Sequence, residues 1–298
     1  MRTLTKLDPF DFLLTAVNFD DQYLLNSGTK LYQNGGTVFA LKDGNEILTL
    51  ALTLPHNKYQ RIVRLYTRPQ FRRQGYALEL IQKLQETYPH LTCFSITERA
   101  EHKIISALLT KAGFRPTSTY FAFSIQCDNL IGWGQTPTGQ KITRCANRFL
   151  RKDLRLINFN QATPEQLDYI KNAKNNAFQS TLSPETLFDD KIHIRKEASY
   201  ILLKKGLPIA FNIFSQPLPN CYNFEMIDTA RDWLGRGYAF LVYWAFFYFF
   251  PKEAWKGHTC KYNIHIANTM SLKMQEKFVG TFPKRRYTQQ WYRWSKEN

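Results

Sequence analysis

Cysteine is scarce in this sequence, and the cysteines present are not paired. The 298 residues contain five cysteines, an odd number, spread along the chain with no C-x-x-C pair. Such spacing argues against a disulfide framework and against a zinc site built from cysteine pairs. The sequence therefore predicts a protein of a reducing compartment, the cytoplasm, with no bound metal. The five are Cys93, Cys127, Cys145, Cys221 and Cys260.

Long apolar runs are lacking as well. The longest covers 13 residues, 238–250, whereas a helix that spans a bilayer needs about 20. The first residues, MRTLTKLDP, contain no apolar stretch of the kind found in a secretion signal. The expected protein is soluble, with no transmembrane segment.

Acidic residues are few relative to basic ones. Forty lysines and arginines against 24 acidic residues give a formal net charge of +16. This charge suits an anionic partner such as nucleic acid or an acidic protein, or it is simply a solvated basic surface. Residues 284–286, KRR, are followed by four aromatic residues, a pattern that can stack bases but favours a final strand with its aromatics on a core. These aromatics are Tyr287, Trp291, Tyr292 and Trp294.

One short segment is present twice. Residues 67–77 read TRPQFRRQGYA and residues 229–239 read TARDWLGRGYA, 162 positions further on. Gly44 and Gly206, in predicted hairpin turns, keep the same separation, as do Pro55 and Pro217. A match without gaps from hairpin to helix predicts an internal duplication. The chain is long enough for two cores of about 150 residues each.

Strand and helix patterns organise each half around this segment. A glycine-containing connector over residues 128–140 places the predicted boundary near residue 140, giving domains 1–140 and 141–298. In the first half, strands are predicted at 37–42, 46–54, 60–67, 91–97 and 117–125, with helices at 76–85 and 102–111. In the second half, a hairpin is predicted at 199–214 and helices begin after Thr163 and Ser183.

The repeated segment has the chemistry of a phosphate-binding turn. Each copy lies between a predicted strand and a predicted helix, so free N–H groups converge at the positive end of the helix. Gly75 and Gly237 lack the side chain that would keep a phosphate away from the backbone. Arg72, Arg73 and Arg236 add positive charge suited to a diphosphate.

This arrangement resembles the GNAT (Gcn5-related) N-acetyltransferase family. The sequence RRQGYA at 72–77 is similar to the family's R/Q-x-x-G-x-G/A motif, and LGRGYA at 234–239 departs from it in having Leu234 as its first residue. Residues 107–114, ALLTKAGF, and the residues Asn268 and Ser271 are similar to family helix segments. The resemblance implies an α/β fold of two tandem GNAT-like domains. Each would contain a mostly antiparallel, mixed sheet with splayed central strands and flanking helices.

The resemblance also implies acetyl-CoA as cofactor and a set of contacts to it. Backbone groups at the end of the fourth strand would hold the pantetheine arm, and the turn would hold the diphosphate. The implied cofactor-binding residues are Leu65, Thr67, Arg72, Arg73, Gln74, Gly75, Tyr76 and Ala77 in the first half, and Ile227, Thr229, Leu234, Gly235, Arg236, Gly237, Tyr238, Ala239 and Asn268 in the second.

Acetyl transfer to an amine requires a base, and the two fourth strands differ in this respect. The first, RIVRLY at 61–66, has no acid, whereas the second contains Glu225. Alternation places Asn223, Glu225 and Ile227 on one face, which makes Glu225 the candidate base, or else a structural glutamate at a strand edge. The family's tyrosine acid is replaced in the two halves by Leu109 and Gln275, so water or Tyr262 would have to act.

The predicted function is acetyl-CoA-dependent N-acyl transfer to an amine, with a protein lysine or N-terminus favoured as acceptor. The second half is expected to be catalytic and the first to bind cofactor or shape the substrate. Alternatives are a nucleic-acid or charged-tRNA acceptor and a non-catalytic coenzyme A-binding partner module. The resemblance extends to tandem GNAT effectors that bacteria deliver into hosts by non-classical routes. His258 and His265 lie seven residues apart with Cys260 between them, and could form a metal or nucleophile site. Such a site is disfavoured because no third ligand has suitable spacing.

Overall fold

The computed structural model describes residues 2–18, 22–33, 35–56, 59–150, 153–172, 178, 194–218, 220–249, 255–280 and 284–296. Its strands are β1 Arg2–Leu7, β2 Thr37–Asp43, β3 Glu46–His56, β4 Tyr59–Thr67, β5 His90–Ile96, β6 Arg115–Gln126, β7 Leu154–Asn158, β8 Tyr200–Lys204, β9 Leu207–Leu218, β10 Cys221–Thr229, β11 Thr259–His265 and β12 Arg285–Ser295. Its helices are α1 Pro9–Asn18, α2 Gln22–Gln33, α3 Tyr76–Thr87, α4 His102–Lys111, α5 Pro137–Leu150, α6 Pro164–Lys171, α7 Tyr238–Phe249 and α8 Thr269–Val279. None of these helices is both long and apolar enough to cross a membrane.

The chain forms two compact units. The first consists of Met1–Tyr120 together with Tyr287–Asn298, and the second of Phe121–Arg286. The division lies about twenty residues before the boundary predicted near residue 140. It also assigns the C-terminal strand to the first unit, because that strand pairs with β5.

In the first unit the strand order is β1-β2-β3-β4-β5-β12. Only β4 and β5 are parallel among the pairs described here. Alternation along β2 sends Val38 and Ala40 to the core under α1 and α2, and Phe39 and Leu41 to the core under α3 and α4. Helices therefore cover both faces of this part of the sheet.

In the second unit the order is β6-β11-β10-β9-β8-β7, and β10 and β11 are the parallel pair. One face packs against α5, α7 and α8, and the other against α6. The seven residues from Leu241 to Phe247 of α7 are all buried. This agrees with the apolar residues around the whole circumference of that helix.

The duplication predicted from the sequence is present in the structure. Cys221–Thr229 lies 162 residues after Tyr59–Thr67, and the helix Tyr238–Phe249 lies 162 residues after Tyr76–Thr87, at both ends of each element. Each unit thus contains the same strand, turn and helix in the same register. This part of the fold positions the candidate site.

The basic-aromatic C-terminus forms a strand, as its pattern favours. Strand β12 pairs antiparallel with β5 from Gln289, opposite Ile96, to Ser295, opposite His90. Tyr292 is buried in the core under α3 and α4, and its hydroxyl lies 2.8 Å from the Ser106 hydroxyl. The aromatics of this strand therefore stabilise the first unit.

The cysteines are free thiols with very different exposure. Four are buried, and only Cys145 is exposed. Burial raises the pKa of both Cys93 and Cys127 to about 12, so these thiols stay protonated and unreactive near neutral pH. Among the residues that the structure describes, no group of three or more metal-ligating side chains comes together.

We therefore expect one fast-reacting thiol in the native protein. With an aromatic disulfide reagent at pH 8, Cys145 should react about 100-fold faster than the others, since thiolate fraction and access govern the rate. The Cys145→Ser variant should lose the fast phase, and denaturant should expose all remaining thiols. A second fast thiol in Cys145→Ser would contradict the burial of the other four.

Candidate active site

In each unit the parallel strands part after three residue pairs. The pairs of β4 and β5 are Gln60 with Leu91, Arg61 with Thr92 and Ile62 with Cys93. The pairs of β10 and β11 are Cys221 with Thr259, Tyr222 with Cys260 and Asn223 with Lys261. The rest of β4 and of β10 makes no further described pairing on that side. The splayed central strands implied by the family resemblance are therefore confirmed.

In each unit a β-bulge lies next to the gap between the two diverging strands, which we call the opening. The register passes from Arg64 opposite Leu52 to Ile62 opposite Thr53, which leaves Val63 as the extra residue of β4. In β10 the extra residue is Glu225, 162 positions later. A bulge bends its strand and redirects the side chains around it. Here it lies where the strands begin to separate.

The bulge overturns the alternation expected for β10. Met226 belongs to the core under α6, whereas Phe224 and Ile227 both pack against the core under α7. Phe224 and Met226, which strict alternation would place on one face, therefore face opposite sides of the sheet. The prediction that Asn223, Glu225 and Ile227 share a face is wrong, because the extra residue shifts the pattern by one.

The two turns follow nearly the same backbone path. A short 3-10 segment, Pro69–Phe71 or Arg231–Trp233, ends in an extended residue with ψ of 153° in both copies. Two left-handed residues follow: Arg73 (φ 63°) and Gly75 (φ 85°) in the first copy, and Gly235 (φ 73°) and Gly237 (φ 81°) in the second. Arginine at the first of these positions is unusual, since side chains other than glycine rarely adopt this conformation.

Both turns are open at the N-terminus of the following helix. The Glu79 N–H donates to the Gly75 oxygen at 3.0 Å and the Phe240 N–H to the Gly237 oxygen at 3.1 Å, so the preceding N–H groups point out of the helix end. A Cβ built on Gly75 or Gly237 meets no atom within 4 Å. The space beside each glycine is therefore free, and the donors around it fit a diphosphate.

The side chains of the first turn mainly hold its shape. Arg72 Nε donates to the Thr67 oxygen at 3.1 Å, and Gln74 Nε2 donates to the Gln70 oxygen at 2.9 Å. The Thr67 hydroxyl lies 2.9 Å from the hydroxyl of Thr49. Arg72 thus fastens the turn to the end of β4, and its terminal nitrogens make no hydrogen bond among the described residues.

The second turn is built differently. Leu234, exposed, stands where the first turn has Arg72. Arg236 and Lys204 lie over the Trp233 ring at 4.8 and 4.2 Å. Buried Thr229 has a hydroxyl with no hydrogen-bond partner among the described residues, at the strand end where a ligand is expected. Trp233, which the sequence shows only as part of the repeat, thus contacts Arg236 of the turn and Lys204 of β8.

The structure collects the predicted cofactor residues into two sets, one per unit. Leu65 and Thr67 lie on the part of β4 beyond the divergence, and residues 72–77 form the turn and helix start. Ile227 and Thr229, with residues 234–239, occupy the equivalent places of the second unit. Asn268 belongs to neither the strand end nor the turn and caps α8, where its side-chain oxygen accepts from the Ser271 N–H at 3.0 Å.

Glu225 is an acidic group beside the second opening. Its carboxylate accepts a hydrogen bond from the Ser215 hydroxyl of β9, and its side chain is half-buried. Val63 takes the equivalent position in the first unit. No sequence pattern points to Ser215, because its contact with Glu225 depends on the bulge.

Tyr262 lies on β11 just beyond the last pair with β10. Its ring is stacked on Phe123 at 5.0 Å, and burial raises the pKa of its hydroxyl well above the usual value. This phenol therefore stays protonated and can donate a hydrogen bond, but it is a weak acid. Leu109 and Gln275, at the places of the family's tyrosine, are both buried.

Comparison with known proteins agrees with this geometry. The family model described as the acetyltransferase (GNAT) family matches residues 5–114. Curated protein sequences give no match. A tandem GNAT protein from the clavulanic acid biosynthesis pathway shares the fold with a TM-score of 0.64, at 10% identity and over 99% of both chains.

Two further solved structures match over nearly the whole chain. A GCN5-related N-acetyltransferase from Sphaerobacter thermophilus has a TM-score of 0.59 at 14% identity, covering 99% of this chain and 95% of the other. An acetyltransferase described as putative, from Pyrococcus horikoshii, has a TM-score of 0.53 at 11% identity, covering 99% and 89%. Identities this low show the fold alone.

The cofactor of this family is acetyl-CoA, and the two open turns suit its diphosphate. The motif at 72–77 lies within the matched residues, and the second copy repeats its backbone. Residues 5–114 thus match the model of the acetyltransferase (GNAT) family, and the whole chain shares the fold of a tandem GNAT protein.

Proposed function

We propose that the chain transfers an acetyl group from acetyl-CoA to a primary amine and that the second unit carries out this reaction. The observation that supports the division is the difference between the two bulges. Glu225 occupies the bulge beside the second opening, whereas Val63 occupies the first. The first unit, with its arginine-containing turn, binds cofactor or shapes the substrate.

In this proposal the chain's own residues bind, orient and remove a proton. The N–H groups at the start of α7 hold the diphosphate, and the free edge of β10 from Ile227 to Thr229 holds the pantetheine arm. When bound, acetyl-CoA supplies the acetyl thioester. Glu225 accepts the proton that the ammonium group must lose before it can attack. The Ser215 hydroxyl fixes the orientation of that carboxylate.

The acceptor we propose is an amine of a protein, a lysine or an N-terminus. A carboxylate beside the opening matches what such an amine requires, since its ammonium form is attracted by negative charge and must be deprotonated. A generic amine can stand in for this acceptor in an assay. The proposal can thus be tested before the natural acceptor is identified.

The Glu225→Gln variant tests this role. With poly-lysine as acceptor, we expect kcat to fall about 100- to 10,000-fold, the range usual for loss of a general base. The KM for acetyl-CoA should change less than about twofold, because the amide leaves the phosphate turn intact. Release of free coenzyme A measures the rate.

The matched control is Glu86→Gln, the same change on an exposed residue of α3. It should keep wild-type kcat and KM. Wild-type turnover in Glu225→Gln would contradict the assignment of the base. A protein that binds acetyl-CoA but acetylates no amine would contradict catalysis itself.

A further inference from the structure

Two arginines flank a threonine on the face of the first unit's sheet that is opposite α3 and α4. Thr92 of β5 is the direct partner of Arg61 on β4 and of Arg293 on β12. Partners in neighbouring strands point to the same face. The next row, Ile62, Cys93 and Tyr292, belongs to the core under α3 and α4, so this row lies on the opposite face.

Both arginine side chains reach across β5. The Arg61 guanidinium lies 4.8 Å from the centre of the Trp291 ring on β12, and the Arg293 guanidinium lies 4.7 Å from the Tyr59 ring on β4. Neighbouring strands are about 4.8 Å apart, so β4 and β12 lie roughly 10 Å from each other. Each arginine therefore meets its aromatic ring over β5, and the two arginines lean in opposite directions. Stacking on aromatic rings holds each guanidinium in place.

The polar groups beneath these arginines have no partner in the part of the chain described. Thr92 is 6% exposed, and its hydroxyl makes no hydrogen bond there. The Trp291 indole N–H is also buried without an acceptor. A buried donor without an acceptor is costly, and two such donors lie on this face of the sheet. An anion bound here would relieve both.

This row lies far from the phosphate turn of the same unit. Arg61 precedes Thr67, where the turn begins, by six strand residues, about 20 Å at 3.3 Å per residue. An anion at Thr92 is therefore separate from the diphosphate of the cofactor. The fork of a guanidinium suits the paired oxygens of a carboxylate or phosphate.

We propose that Arg61, Thr92 and Arg293 form a binding site for an oxyanion, a phosphate or a carboxylate. The two guanidinium groups supply charge from either side, and the Thr92 hydroxyl donates from below. The Trp291 N–H supplies a further donor on the same face. This site is independent of the catalytic role of Glu225.

The indole N–H of Trp291 is the reporter for the test. The full chain, saturated with coenzyme A so that the turns are occupied, is titrated at low salt with inorganic phosphate and, separately, with sodium acetate. The Trp291→Phe variant assigns the NMR signal. We expect that signal to shift with at least one anion. The anion that binds more tightly shows whether the site prefers a phosphate or a carboxylate.

Two variants decide whether the shift reports this site. Thr92→Val keeps the shape of the side chain and removes the hydroxyl, and Arg293→Gln removes an exposed charge. Each should weaken binding at least tenfold. Arg155→Gln, the same change on an exposed arginine of the second unit, should leave it within twofold. No shift with either anion, or equal binding in Thr92→Val and Arg293→Gln, would overturn the proposal.

Discussion

Deletion of residues 285–298 is expected to unfold the first unit and to leave the second folded. The deletion removes β12, which supplies seven residue pairs to β5 and the buried side chain of Tyr292. In hydrogen exchange, the amides of β4 and β5 should lose protection, while those of β8 and β9 keep it. The family motif at 72–77 would be lost with the first unit, although no residue of it is changed.

A single substitution gives a graded version of this result. Tyr292→Ala should destabilise the first unit by about 3–5 kcal/mol, the usual cost of removing a buried aromatic ring. Tyr292→Phe keeps the ring and loses only the contact with Ser106, for about 1 kcal/mol. Tyr248→Ala, at a tyrosine that is 46% exposed, should change stability by less than about 0.5 kcal/mol. Full protection of β5 in the truncated chain would contradict the structural role of β12.

The second large effect concerns the glycines of the two turns. Gly237→Asp should abolish acetyl transfer, and Gly75→Asp should lower it less than about tenfold. In each turn the new side chain occupies the open space beside the helix end and brings a negative charge against the diphosphate. Calorimetry should show that each variant has lost one coenzyme A site, with affinity there reduced about 100-fold or more, some 2.7 kcal/mol.

Gly206→Asp and Gly44→Asp are the matched controls. Both glycines have positive φ, 83° and 59°, and open space around the Cβ, yet they lie in the hairpin turns. They share the backbone strain of the test variants, about 1–2 kcal/mol, without touching the phosphate turn. Wild-type turnover in Gly237→Asp, with loss in Gly75→Asp, would reverse the proposed division between the units.

The repeated turn could be predicted because its determinants are local. Glycine at 75 and 237 is required by a backbone conformation that a few neighbouring residues define. The strand before and the helix after follow from periodicity over about ten residues each. For the same reason the two copies keep a constant separation of 162 residues, from β4 and β10 through to α3 and α7.

Other features depend on partners distant in sequence. The bulge at Glu225 is a property of the pairing of β10 with β9, so alternation within β10 alone gave the wrong face for Ile227. The aromatics of β12 indicate a buried strand, but nothing in them specifies β5 as its partner. The row around Thr92 needs three strands from both ends of the chain, and therefore could not be seen in the sequence.

The late position of β12 affects how the protein is made. On the ribosome, this strand appears only after every strand of the second unit, although it completes the first. Nascent β5 therefore waits with an unpaired edge while more than 180 further residues are translated. Such an edge can pair with other chains, so the newly made protein should depend on chaperones during this interval. The half synthesised first is thus the half that finishes folding last.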